Sequence, residues 1–338
     1  MDERKGESAA AGVAAAAGNS AVRGTVAVLG AGNTGASWAG LFAAHGYAVR
    51  LFDTQPGAAA AALERAAAAA RFLINKGLAE PGAAERGIAG LEAAATLQEA
   101  VAGVVLVQEC VTDNVALKRG VFADVSRAAP EDALIATSSS GLSITEIQQA
   151  SHLPGRTLAA HPYNPPHIVP LVELAPGALT DPSTLERARA FYLGVGKEPV
   201  VVSRDVPGYI ANRMSAALWR EAIELVRSGV ATVEDVDKAI CYGPGLRWAV
   251  MGPHLIYHLG GGKAGIRGHV SHLTGTKEGM LRDLATWTTF PADIADLLAA
   301  GVEAEAGDKT LAELEVERDE ALAAVVLALR EIRPPRRA

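Results

Sequence analysis

Cysteine is nearly absent: Cys110 and Cys241 are the only two among 338 residues. Two isolated cysteines support neither a disulfide framework nor a cysteine-based zinc site, so the expected setting is a reducing one, the cytoplasm. Aromatic residues are scarce, at 5%. Basic runs are missing. The 31 Lys and Arg stand against 38 Asp and Glu, a net charge of −7, which argues against nucleic acid as a partner. No apolar run is long enough to suggest a membrane span; residues 58–70 come nearest, but they are mostly alanine and include Glu64 and Arg65. Residues 1–23 carry Asp2 and Glu3 beside Arg4 and Lys5, then weakly apolar alanine, which predicts a flexible tail and no signal peptide. What the chain does have is 49% hydrophobic and only 20% charged residues, a composition that can fill a core.

The pattern along the chain is an alternation of strands and helices. TVAVLG (25–30) reads as a strand, a Gly-rich turn follows, ASWAGLFAAH (36–45) has helical spacing, and AVRLFD (48–53) is the next strand. The continuous apolar strands predict a parallel sheet covered on both faces. Further strands are expected at 104–109, 133–137, 157–161, 169–175 and 198–203, with helices at 58–77, 117–129 and 143–150. Strand signals stop after Ser203. The prediction is therefore an α/β fold: a Rossmann-type, doubly wound, mainly parallel sheet over residues 24–204, followed by an all-helical domain over 205–338 for substrate binding and dimerisation.

Four constellations carry chemistry. Gly30-Ala31-Gly32-Asn33-Thr34-Gly35 lies between a strand and a helix. There the first glycine makes a tight turn, the second lets the backbone approach a pyrophosphate, and the third lets helix and strand pack closely. Asp53 ends the second strand, where a carboxylate binds the adenosine ribose and repels a 2′-phosphate, so NAD is expected over NADP. His161 ends a strand and Glu173 lies on the next one; a carboxylate-oriented histidine makes a general base, although a surface histidine and an unrelated glutamate would look the same in sequence. The run Thr137-Ser138-Ser139-Ser140-Gly141 offers hydroxyls for a substrate oxygen or for ordinary helix capping. Asn212, in the segment 205–213 at the domain junction, suits a substrate oxygen or a structural amide.

Taken together, GAGNTG, the serine run, HPYNPP, LVEL and PGYIANR, in this order, resemble the 3-hydroxyacyl-CoA dehydrogenase family over roughly residues 24–255. HPYNPPHIVPLVEL and GPGLRWAVMGP (243–253) are more similar to the branch containing L-gulonate 3-dehydrogenase and L-carnitine dehydrogenase, which acts on free 3-hydroxy acids. The resemblance implies that His161 is the base, Glu173 its orienting carboxylate, and Ser140 and Asn212 the groups holding the substrate oxygen. It also implies that Asp113, Lys118 and Asn164 meet the cofactor. The family usually has Glu where this chain has the shorter Asp113, and thioester enzymes tend to have Ser in place of Gly141. Residues 258–287 diverge and have no assignment.

A free acid needs a fixed cation for its carboxylate. Arg247 offers a planar fork, and Trp248 offers packing or a cation–π contact to a quaternary amine; a structural Arg pair and a core Trp are the alternatives. The expectation is thus an NAD-dependent dehydrogenase, needing no metal, that interconverts a small L-3-hydroxy acid and its 3-oxo acid. A CoA thioester substrate is the competing expectation. It would need cations on the helix after Asp53, which offers only Arg65, Arg71 and Lys76. A binding protein that holds NAD without turnover is a third. The apolar content of 216–226 and 321–329 predicts a homodimer formed through the helical domain.

Overall fold

Residues 22–333 are described in this computed structural model. Eight strands form one sheet: β1 (Thr25–Leu29), β2 (Ala48–Phe52), β3 (Leu91–Ala93), β4 (Leu106–Glu109), β5 (Leu134–Thr137), β6 (Thr157–Pro162), β7 (Leu171–Pro176) and β8 (Glu198–Val201). Around and after it come α1 (Asn33–Ala44), α2 (Ala58–Asn75), α3 (Pro81–Ala89), α4 (Leu97–Val101), α5 (Val115–Ala128), α6 (Ile144–Gln148) and α7 (Pro182–Gly194). The rest is helical: α8 (Ala211–Arg227), α9 (Val233–Tyr242), α10 (Pro244–Val250), α11 (Pro253–Gly260), α12 (Gly265–Asp283), α13 (Ile294–Ala306) and α14 (Leu311–Ile332).

The strand order is β3-β2-β1-β4-β5-β6-β7-β8, and every neighbouring pair is parallel except β6–β7. The order reverses direction between β1 and β4. In such sheets that reversal opens a crevice at the strands' carboxyl ends, where ligands bind. The expected α/β architecture is therefore present. Strand β3 and helices α3, α4 and α7 are not foreseen in the sequence; β3 has three residues, none of them fully buried, too few to show a period.

The interior divides into two apolar layers, one on each face of the sheet. One gathers Trp38, Phe42, Leu51, Leu73 and Tyr192; the other Phe122, Val125, Ile135, Ile144 and Ile147. Alanines along one side of α2 (Ala59, Ala62, Ala66 and Ala70) are buried, and Gly40 of α1 faces them so closely that a methyl group there would meet Ala69 and the Ala66 carbonyl. The alanine richness is thus a helix–helix packing device at close separation.

Two expectations about the chain ends change. Residues 1–21 of the expected tail lie outside the described residues, but Arg23 is held to the first domain: its amide donates to the Gly46 carbonyl at 2.9 Å and its guanidinium to the Gly194 carbonyl at 2.9 Å. At the other end, the stretch 321–329 was expected to serve the helical domain or a dimer. Instead Ala323 and Val326 of α14 are buried in the core layer of the nucleotide-binding domain. Lys76 pairs with Glu320, and Arg330 donates to the Leu78 carbonyl. Small apolar residues on α14 fit the flank of the sheet domain, so this helix returns across the domain boundary.

Candidate active site

The turn after β1 shows why each glycine is needed. Gly30 has φ 96°, a left-handed conformation, and a Cβ there would lie 2.7 Å from the Cys110 backbone. A Cβ on Gly35 would collide with the Gly30 carbonyl. A Cβ on Gly32 meets nothing within 4 Å, because that position faces the open cleft. Asp53 is fixed beside the turn: its Oδ2 accepts the Ala31 amide at 2.7 Å and its Oδ1 the Gln55 amide at 2.9 Å. Arg65, on α2, donates to Asn33 Oδ1 at 2.9 Å and to the Ala31 carbonyl at 2.6 Å. Thus the turn is braced by a carboxylate on one side and a guanidinium on the other.

A cleft of about 610 Å³ runs from Asp53 and Gln55 past Gly30 and Gly32 to Cys110 and Val111. A smaller pocket of about 210 Å³ continues from Cys110 and Val111 and is lined by Thr34, Asp113, Ser140, His161 and Asn164. The crevice is open at Gly32, reaches the amino end of α1 and has a carboxylate at its far end, which together fit a dinucleotide.

His161 and Glu173 are cross-strand partners in the β6–β7 register. His161 Nδ1 lies 2.9 Å from Glu173 Oε2, and both side chains are buried. The other carboxylate oxygen, Oε1, accepts the Ile210 amide at 2.8 Å and the Ala211 amide at 2.9 Å. Burial alone would raise the Glu173 carboxyl; the hydrogen bonds from His161, Ala211 and Ile210 outweigh it and hold the group below its ordinary value. One carboxylate therefore orients the imidazole and anchors the start of α8. Just before that helix, Tyr209 takes φ 46° and its buried ring lies 5.4 Å from that of His161. Nothing in the sequence reading singled out Tyr209; its place between Gly208 and the helix start is the only local signal.

The three serines differ in their contacts. Ser138 Oγ accepts from Gln108 Nε2 at 2.8 Å and lies 3.1 Å from Cys110 Sγ. Ser139 Oγ accepts the Leu142 amide. Ser138 and Ser140 both line the pocket with His161. Asn212 follows Ala211 directly but is not among the residues lining the His161 pocket; it lines a different cleft of about 610 Å³ between α8 and residues 287–290.

Lys118 lines the smaller pocket beside Asp113. Its ammonium is buried and donates to Glu109 Oε1 at 2.7 Å, to Glu109 Oε2 at 3.0 Å and to the Val111 carbonyl at 2.9 Å. Asp113 lies 3.3 Å away. Those partners engage the ammonium's three donors, so Lys118 fixes the strand end and Asp113 at the wall of the pocket. Glu109 also accepts from Thr137 Oγ1 at 2.6 Å and from the Val111 amide at 2.6 Å. Arg247 and Trp248 are not brought to the site. They stand on α10, outside the residues lining these clefts, and Arg247 is exposed.

With the geometry in place, comparison with known proteins is decisive. Residues 25–206 match the 3-hydroxyacyl-CoA dehydrogenase NAD-binding domain, and residues 208–293 match the 3-hydroxyacyl-CoA dehydrogenase C-terminal domain. The chain belongs to the 3-hydroxyacyl-CoA dehydrogenase family. It is similar to L-carnitine dehydrogenase of Streptomyces griseus, at 39% identity over 89% of this chain and 88% of that protein. It is also similar to L-carnitine dehydrogenase of Pseudomonas putida, at 39% identity over 89% of this chain and 92% of that protein. Among solved structures, an NAD-dependent 5-formyl-3-hydroxy-2-methylpyridine 4-carboxylic acid 5-dehydrogenase shares the fold with a TM-score of 0.77 and 28% identity, over 91% of this chain and 99% of that one. This member of the family is an NAD-dependent dehydrogenase. Among the described residues no helix is long and apolar enough to cross a membrane.

Proposed function

We propose that the protein oxidises a small, free L-3-hydroxy acid of the carnitine type to its 3-oxo acid, in the cytoplasm. The observation that carries this reading is the buried His161–Glu173 pair opening onto the same pocket as Ser140. The similarity to carnitine dehydrogenases over nearly the whole length of both chains supports the substrate class. The surface after Asp53 argues against a CoA thioester. Arg65 donates to the Gly-rich loop and Lys76 is paired with Glu320, which leaves Arg71 as the cation of α2 with no such partner among the described residues.

In this mechanism Glu173 accepts a hydrogen bond from the Nδ1–H of His161, which leaves Nε2 free to take the proton from the C3 hydroxyl. As the imidazole becomes imidazolium, the adjacent carboxylate stabilises it. Ser140 and Asn212 donate to the C3 oxygen as charge builds there. Gly30, Gly32, Asn33, Thr34 and Gly35 receive the dinucleotide phosphates, Asp53 the adenosine ribose, and Asp113 and Asn164 the nicotinamide end. NAD, when bound, supplies the hydride acceptor. Lys118 acts through Glu109 and Asp113.

The test is NADH formation with a panel of L-carnitine, L-gulonate, L-3-hydroxybutyrate and 3-hydroxybutyryl-CoA. Higher kcat/KM for a free acid than for the thioester is the expected result. A preference for the thioester overturns the reading.

We also propose a homodimer through the helical part. Helices α10 and α11 bury no residue, and Leu246, Leu255 and Leu259 on them are 59%, 57% and 64% exposed. So much apolar surface marks an interface. Light scattering at micromolar concentration should give twice the chain mass; a clean monomer contradicts it.

A further inference from the structure

The cleft that Asn212 enters carries an unusual share of the chain's few aromatic rings. Trp219 comes from α8, and Trp287 and Phe290 from the segment after α12; all three line it. Phe290 stands between the other two, 5.6 Å from Trp219 edge-on and 5.7 Å from Trp287. Trp219 and Phe290 are more than half exposed, so their faces are available to a ligand. The Trp287 indole N–H donates to Glu224 Oε2 at 3.1 Å. A carboxylate on the indole N–H adds electron density to the ring and deepens its attraction for a cation. Arg213 and Arg220 line the same cleft, and among the described residues neither pairs with a carboxylate.

We propose that Trp219, Trp287 and Phe290 form a binding site for the quaternary ammonium of the substrate, in a cleft whose arginines suit the substrate's carboxylate. The assignment rests on the proposed oxidation of a carnitine-type acid and names the groups that select it. Continuity with the catalytic pair comes through the backbone. Glu173 holds the Ile210 and Ala211 amides, Asn212 follows, and Trp219 lies two turns further along the same helix. Long helical side chains lean back toward the helix start, which brings the Trp219 ring toward Asn212. Aromatic faces bind quaternary ammonium through the ring quadrupole, a force a neutral group of equal shape does not feel. The cleft therefore suits a zwitterion. A simple cation such as choline meets the two arginines with no compensating carboxylate.

The test is calorimetric titration of the NAD-saturated enzyme with two ligands of nearly equal shape that cannot be oxidised. One is 4-(trimethylammonio)butyrate and the other its carbon isostere, 5,5-dimethylhexanoate. Wild type should bind the ammonium compound roughly 5- to 30-fold more tightly. In Trp287→Leu and in Phe290→Leu, made separately so that one folded variant suffices, the ratio should fall to about twofold or less. Equal affinities in wild type overturn the site, as does an undiminished ratio in both variants. Choline binding as tightly as the zwitterion overturns the role of the arginines. Failure of all free acids in the NADH assay would sink the substrate reading, while these affinities report on the aromatic site separately.

Discussion

His161 and Glu173 face each other across the antiparallel β6–β7 pair with Nδ1 2.9 Å from Oε2, and the same carboxylate holds two amides at the start of α8. Catalytic orientation and the junction to the helical part thus depend on one side chain. Glu173→Gln keeps the shape and the contacts to the amides but loses the charge. Turnover should fall roughly 10²-fold, the lower end of what a general base supplies. The acid limb of the pH–rate profile should move to lower pH, since an imidazolium without its anionic partner gives up its proton more readily. An unchanged profile would make Glu173 purely structural.

Asp53 tests the cofactor end. Its carboxylate sits at the cleft and is fixed by the Ala31 and Gln55 amides. Asp53→Ser removes the charge that opposes a 2′-phosphate, so the ratio of kcat/KM for NAD over NADP should drop by about tenfold or more. Equal use of both cofactors by the wild-type enzyme would contradict the assignment.

The Glu109–Lys118 pair is fully buried. Burial raises the Glu109 carboxyl, and Lys118 and Thr137 oppose that. Lys118→Met strands the carboxylate, at a cost of about 3–5 kcal/mol in urea unfolding. Adding Glu109→Gln should recover much of the loss. A stable Lys118→Met protein would show that the pair is not what holds this strand end.

Among the described residues Lys197 has no carboxylate partner. It lies over the Trp38 ring at 4.8 Å and donates to the Pro166 and Val169 carbonyls at 2.6 and 2.7 Å, bracing the loop that carries Asn164. Burial pushes its ammonium down to about 7. A depressed lysine disfavours the folded state while it is charged, so stability should rise as pH climbs from about 7 toward the unfolded value. The Tm of wild type minus that of Lys197→Met should therefore increase between pH 6 and 9, taken as a window of roughly this width. A constant difference would mean that Lys197 titrates as an ordinary surface lysine.

The parts of the site legible in sequence are those with strict local demands. GAGNTG between strand and helix has few other uses, and its glycines meet their three demands within six residues. The strand carrying Glu173 was legible, but its pairing with His161 depends on register, and only the cross-strand geometry joins them. The Lys118–Glu109 pair was not legible, because Glu109 lies on a different element and reads in sequence as the polar end of an apolar strand. The sequence shows α14 as a charged helix and says nothing about which domain its apolar residues cover. Arg65 looked like a free cation for the same reason: its bonds to Asn33 and Ala31 span more than 30 residues.

The most direct measurement of the central claim is the kcat/KM of wild type and His161→Ala for L-carnitine with NAD. The account predicts NADH formation by wild type and a fall of roughly 10²–10⁴-fold in the variant, with NAD affinity retained. Near-normal turnover by His161→Ala would contradict it.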